Sequence, residues 1–396
     1  MMRGLRPGPY TIAVCVAAAC AMAAAVAANV PAGGLSGAPV SAAIVPTTER
    51  PAGGAAPDRP EVKAAATGHA LLRPALTLSS RQAAHAVVLG AAQAGRRLVT
   101  VGERGLIQLS DDNGATWRQA PAPTSTTLTA VRFDGDRNGV AVGHAGVVLV
   151  TTNAGNTWRL VLDGARIAEL ALAAATASGD EHAMREAERL RTDGADKPLL
   201  DVAMAPDGRL LVVGAYGLVL ASDDGGQHWT PWMARLDNPQ GLHLNSVRRR
   251  GDTILIGGER GLALLSRDGG RHFARLATPY QGSYFTSEIG ADGALLLAGL
   301  RGNAWTSIDG GRQWSQLVNP VPASLTGSVL RADGTLVLAS QAGMLLARQG
   351  NALVPLPGTA RPLAPLTGVL EMPAGGLLAL SVQGAVAVSV MPGVAP

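Results

Sequence analysis

SDDNGATW at residues 110–117 is followed by TTNAGNTW at 151–158, SDDGGQHW at 222–229, SRDGGRHF at 266–273 and SIDGGRQW at 307–314. The shared pattern is Ser/Thr-x-Asp/Asn-x-Gly-x-x-aromatic. Such copies either assemble one active centre or mark a small unit folded several times. The residues around them decide which. Each copy follows two strand-like runs joined across a glycine, at Gly105, Gly146, Gly217, Gly261 and Gly302, and the same arrangement recurs without the motif at Gly343 and Gly384. Successive spacings are 41, 71, 44, 41, 41 and 41 residues, a repeat with one stretched interval. A period near forty with short strands and tight turns is that of a propeller blade. The expected fold is therefore all-β, a seven-bladed β-propeller over residues 67–396.

One unit reads in full as LTAVRF, a turn at DGDRNG, VAVG, a hairpin tip at His144-Ala145, GVVLVT, and a motif turn into the last strand. Glycine at the tip supplies the positive φ that such hairpins need. The seventh unit has no obvious fourth strand, and LLRPALTL (71–78) is the stretch expected to supply it and close the ring. The stretched interval, 163–200, lacks strand patterning and is rich in helix formers, so it reads as a helical insertion between blades 2 and 3, at about 165–193. Ser178-Gly179-Asp180-Glu181 has the form of a capping box between two short helices.

Charged residues make up 16% of the 396, and the formal net charge is only +4, with no basic cluster of the kind a phosphate backbone requires. No nucleic-acid partner is expected. Residues 1–28 carry two arginines, a long apolar run and small residues at the end, the form of a secretory signal or an uncleaved anchor. The protein is thus expected to be exported and periplasmic. Both cysteines, Cys15 and Cys20, lie in this leader. A mature chain lacking them has no disulfide, thiol nucleophile or cysteine metal site. Residues 29–66, rich in Ala, Pro and Gly, read as a linker.

Equivalent turns in a ring are spread around its circumference and cannot converge on one substrate. The motif residues are therefore assigned a structural role: Ser110, Asp112, Gly114 and Trp117; Asn153, Gly155 and Trp158; Asp224, Gly226 and Trp229; Asp268, Gly270 and Phe273; Asp309, Gly311 and Trp314. The short acid accepts backbone N–H groups in its turn, and the aromatic packs between sheets. The scattered histidines have no metal-ligand spacing, and the glycines follow the blade period rather than a phosphate loop. No catalytic residue, cofactor or metal is assigned.

The motif is that of the Asp-box, or BNR repeat, of sialidases and other propellers. Together, GERG (102–105) before SDDNGATW, GERGLALLSRDGGRHF (258–273) and PYQGSYF (279–285) resemble the photosystem II stability/assembly factor family over roughly residues 72–390. That resemblance implies a non-catalytic propeller, monomeric, that holds a membrane protein or its assembly intermediate. For proteobacterial members it implies an accessory to an RND-type exporter. The alternative is a sialidase-like or glycan-binding Asp-box propeller. Against it, the Arg-Ile-Pro signature of sialidases is absent, and no pattern nominates a pair of carboxylates across one cleft.

A partner face follows from topology. Hairpins between second and third strands share one face with the blade-to-blade loops. Arg104, His144, Tyr216, Arg260 and Arg301 are expected at those tips. The helical insertion and loops bearing Trp232, Tyr280 and Tyr284 are expected beside them. Arg248-Arg249-Arg250 is expected on the opposite face, in solvent.

Overall fold

The computed structural model describes residues 73–356 and 362–389. The expected leader (1–28), the linker (29–66) and positions 67–72, 357–361 and 390–396 lie outside the described residues. Within them the chain forms seven antiparallel sheets in sequence order, six of four strands and one of three. Blade 2 is representative, with strands Leu128–Asp134, Asn138–Gly143, Val148–Thr151 and Arg159–Leu162. Second strands such as Leu210–Gly214 and Leu295–Gly299 are buried throughout, as expected of strands covered on both faces.

The inner strands carry the packing of the ring. All seven have a register irregularity beside the first residue, between Leu128 and Ala130 in blade 2 and at the matching position elsewhere. A bulge turns the extra side chain out of the ladder. Here that side chain often reaches the next blade. Thr129 donates to the Leu199 carbonyl (2.8 Å), Asn245 to Tyr284 (3.0 Å), Thr326 to Leu366 (2.9 Å) and Thr367 to Val88 (2.5 Å). The last of these bonds blade 7 to blade 1.

Ring closure differs from the expectation. Residues 73–78 do not add to blade 7. They lie against blade 1, where the Ala75 N–H bonds the Ala122 carbonyl and the Leu78 N–H bonds Gln119 Oε1. Pro74 interrupts any ladder through this segment. A short helix, α1 (Ser80–Ala84), follows, capped by Ser79. The seam between blades 1 and 7 is instead closed by Val88, Leu98, Met372, Leu378 and Leu380, buried together.

The helical insertion is as placed by the sequence: α2 (Gly164–Ser178) and α3 (Glu181–Asp193) follow blade 2. The cap between them differs in detail. Gly179 ends α2 in a left-handed conformation, and Asp180, not Ser178, caps α3 by accepting from the His182 and Ala183 N–H groups. Asp180 stands directly before the helix, so its carboxylate reaches both donors, whereas Ser178 lies two residues further back.

The Asp-boxes knit each outer turn. Ser110 Oγ donates to Asp112 (2.8 Å) and accepts the Gly114 N–H (2.9 Å), while Asp112 Oδ1 accepts the Thr116 N–H (2.8 Å). Asn153 accepts the Thr157 N–H in the same way, so the turn uses an oxygen acceptor and not a charge. Trp117, Trp158 and Trp229 each donate their indole N–H to the box glycine carbonyl. Trp158 and Trp229 are buried against the preceding blade. Blade 4 has the smaller Phe273, and there Trp232 from the end of blade 3 fills the space over Gly270. Trp232 is 9% exposed and its ring carries the Arg235 guanidinium 4.2 Å away. Its expected place on the partner face is thus corrected: it is inter-blade core.

The expectation for Arg248-Arg249-Arg250 is also corrected. Inner-strand side chains point into the central channel, and Arg248 joins an ion-pair chain there. Arg132 bonds Asp201 (3.0 Å), Asp201 bonds Arg248 (2.6 Å), and Arg248 approaches Glu288 (3.5 Å), which accepts from Ser328 (2.7 Å). The chain links blades 2 to 6 along the wall of a cavity of about 450 Å³. Burial lowers the basicity of Arg132, which the Asp201 charge only partly restores and Arg248 lowers again. Burial pulls on Arg248 too, yet Asp201 and Glu288 outweigh it and raise its pKa. Arg249 is half-buried, and only Arg250 of the three is exposed.

Three outcomes follow. Trp229→Ala should cost about 3–5 kcal/mol in denaturant melts, because a buried indole leaves a cavity, and Asp224→Ala should cost less. Asp201→Ala should cost about 3–5 kcal/mol by leaving two cations uncompensated, whereas Arg250→Ala should be nearly neutral. For acid, the sign follows from the lowered box carboxylates. Asp112 is held down to about 2 by the Thr116 hydroxyl and N–H and by Ser110, and Asp224, Asp268 and Asp309 are lowered chiefly by backbone N–H bonds. Their contribution is complete above an unfolded value of about 4 and is lost as pH falls through the folded values. Melting temperature should therefore decline from about pH 4 toward 2, and replacing the four by Asn, on the pattern of Asn153, should flatten that decline.

Candidate functional site

The hairpin tips share one backbone device. Arg104, Ala145, Tyr216, Arg260 and Arg301 all have φ between 50° and 57°, and each is followed by a left-handed glycine. The glycine is obligatory: a Cβ at Gly105 would collide with the Thr124 carbonyl of the loop into the next blade. A non-glycine residue in the left-handed region costs roughly 1–2 kcal/mol. The fold bears that cost repeatedly, and the result is a set of side chains fixed on stiff turns around one face.

Arg104, Tyr216, Arg260 and Arg301 are exposed there. The neighbouring glutamates do not neutralise the arginines. Glu103 turns back to accept the Val87 N–H (3.0 Å), and Glu259 accepts the His243 N–H (3.0 Å) and lies 3.5 Å from its ring. Among the described residues Arg104, Arg260 and Arg301 make no salt bridge. Tyr216 packs against His243 with the rings tilted at 57° and centroids 5.0 Å apart, and Lys197 lies 5.7 Å from its ring.

The remaining expected members fall elsewhere. His144 is one residue short of the tip, which Ala145 occupies. Its ring is half-buried, its Nε2 has no hydrogen-bond partner among the described residues, and burial lowers its pKa. The tip of blade 2 is itself covered, since Gly146 packs under Gly164 and Ile167 of α2. The insertion therefore removes one blade from the accessible face. Tyr284 is fully buried and cannot contact a partner. Tyr280 is half-buried, edge-on to Tyr284 at 5.9 Å, and its hydroxyl donates to the Leu300 carbonyl (3.0 Å). It supports the turn that carries Arg301. Desolvation raises the pKa of both tyrosines.

The channel is the feature that sequence reasoning missed. Its four ionic residues belong to four different repeats, so no local motif contains them. Aligning the inner strands LTAVRF, LLDVAM, LNSVRR and YFTSEI would have shown opposite charges entering one wall in alternation. No group of three or more His, Cys, Asp or Glu side chains gathers as a metal site among the described residues. The box carboxylates stay at the rim, each bonded within its own turn. What the geometry offers is a rigid, positively charged protein surface.

A family model described as photosynthesis system II assembly factor YCF48 matches residues 180–348. Among solved structures, "YCF48 bound to D1 peptide" is similar with a TM-score of 0.57 and 16% identity, over 81% of this chain and 99% of that one. YCF48 from Cyanidioschyzon merolae gives 0.57 and 14%, over 79% and 97%. The extracellular domain of BT4673 from B. thetaiotaomicron gives 0.56 and 12%, over 77% of this chain and 38% of that one. No curated protein matches. At these identities the structures share the fold, and the family model adds the sequence pattern of its repeats. The chain is a BNR-repeat, seven-bladed β-propeller that resembles the photosystem II assembly factor family.

Proposed function

We propose that the chain is a non-catalytic, exported binding propeller that serves a membrane protein complex as an assembly or accessory factor. Its partner is engaged by the face that carries Arg104, Arg260 and Arg301. One observation carries the reading: three guanidinium groups stand exposed, without acidic partners among the described residues, on turns of fixed left-handed backbone. Arginine and tyrosine on a rigid scaffold are the usual anchors of protein interfaces. The D1 peptide named with one similar propeller is a piece of a membrane protein, which supports the partner class. From the proteobacterial resemblance and the arginine-rich, lysine-poor composition, the partner we propose is an RND-type exporter, met from the periplasmic side.

Replacing Arg104, Arg260 and Arg301 together by Ala should abolish capture of the membrane partner from detergent-solubilised membranes while leaving the melting temperature unchanged, since exposed tips contribute little to folding. Arg250, Arg271 and Arg312, exposed on the Asp-box face, form the control triple with equal charge. Capture should survive that change. Equal loss from both triples, fading with salt, would mean nonspecific attraction and would overturn the reading.

A further inference from the structure

The ionic chain in the central channel has two open ends. Inside the chain, Asp201 accepts from Arg132, Arg248 and the Val202 and Val247 N–H groups, and Arg248 lies between Asp201 and Glu288. The terminal members are less fully matched. Arg132 uses Nη1 on the Val131 carbonyl (2.9 Å) and Nη2 on Asp201 (3.0 Å), and its Nε has no hydrogen bond among the described residues. Glu288 Oε1 accepts from Ser328 and faces Arg248, while Oε2 has no hydrogen bond among the described residues. Neither free atom is shut off from the cavity. A half-matched cation and a half-matched anion thus border one enclosed space.

The repeat sets them across from each other. Each is the fifth residue of its inner strand, Arg132 in blade 2 and Glu288 in blade 5, three steps apart in a ring of seven. Burial depresses the basicity of Arg132, and Glu288 is near enough to oppose that without forming an ion pair with it. Among the described residues the cavity, of about 450 Å³, has no charged lining beyond these four side chains. That volume lies in the range of small-ligand sites. The wall contributed by blades 6, 7 and 1 is small and apolar: Gly327, Val329, Gly368, Leu370, Gly90 and Ala92. Two cations and two anions sum to zero. A simple anion or cation entering here would leave an uncompensated charge in an enclosed site, whereas a zwitterion would not.

We propose that the central channel binds a free amino acid with an apolar side chain, its carboxylate on Arg132, its ammonium on Glu288 and its side chain against the glycine wall. Each end then gains a charge-assisted hydrogen bond. The site is separate from the tip face and does not depend on the partner engaged there. The probe is L-leucine, with L-valine and L-phenylalanine alongside, titrated into the whole protein by calorimetry and followed by melting. Leucine should bind at a single site and, near saturation, raise the melting temperature by roughly 2 °C or more. N-acetyl-leucine lacks the ammonium and leucinamide lacks the carboxylate, so each should bind roughly tenfold or more weakly. Arg132→Gln and Glu288→Gln should lose the leucine response, and Arg104→Ala on the tip face should keep it. The analogues are read on the unaltered protein, so a variant that fails to fold leaves the test intact. No response to any of the three amino acids would overturn the proposal. So would N-acetyl-leucine binding as well as leucine, the mark of a site for a peptide carboxyl terminus, or a leucine response that survives both Gln variants.

Discussion

Seven inner strands meet around one axis, and the space there is the constraint on which the rest depends. The residue two places into each strand is Gly90, Ala130, Asp201, Ser246, Thr286, Gly327 or Gly368. A Cβ on Gly90 would lie 3.0 Å from the Ala130 Cα, and one on Gly327 would lie 2.8 Å from the Gly368 Cα. Small residues let the backbones approach, and close approach allows the bulged threonines and asparagine to bond a carbonyl of the next blade. Asp201 is the exception in size. It is tolerated because its carboxylate accepts the Val202 and Val247 N–H groups together with two guanidiniums. Crowding at the centre thus sets the spacing of the blades, and Asp201 is the one charged residue buried among those described.

What the sequence displayed was whatever recurs locally. The glycine period set the number and bounds of the blades, because each tip needs a left-handed residue at one fixed place. The boxes were legible as structure because Ser, Asp and the aromatic act within eight residues. The helical interval announced itself by breaking the period. What stayed hidden depended on contacts between units. Trp232 looked like a loop aromatic, and only the smaller Phe273 in the next blade explains why a Trp is needed there. Tyr284 stands where the loop TPYQGSYF meets the inner strand YFTSEI, and the strand is what buries it. Arg248 looked solvated because its partners lie 47 and 40 residues away.

The two faces of the disc differ in how their charges are held. Box carboxylates are locked into their own turns, and in two boxes a histidine nitrogen lies 2.6 Å from the carboxylate, so the acids of that rim are held locally while its exposed arginines, Arg271 and Arg312, are not. On the tip face the glutamates serve the backbone and the arginines are left over. The same hairpin geometry that makes the turn rigid therefore makes the face cationic.

The cover that α2 places over the blade 2 tip has a further effect. A ring of near-identical blades offers anything that lands on it several almost equivalent rotational poses. Seven such poses would be worth about 1 kcal/mol of degeneracy, RT ln 7, and would leave the complex without a defined azimuth. One capped tip, one aromatic tip at Tyr216 and arginines at blades 1, 4 and 5 abolish that symmetry. The disc acquires a single bearing, as a keyway gives a wheel one position on its shaft.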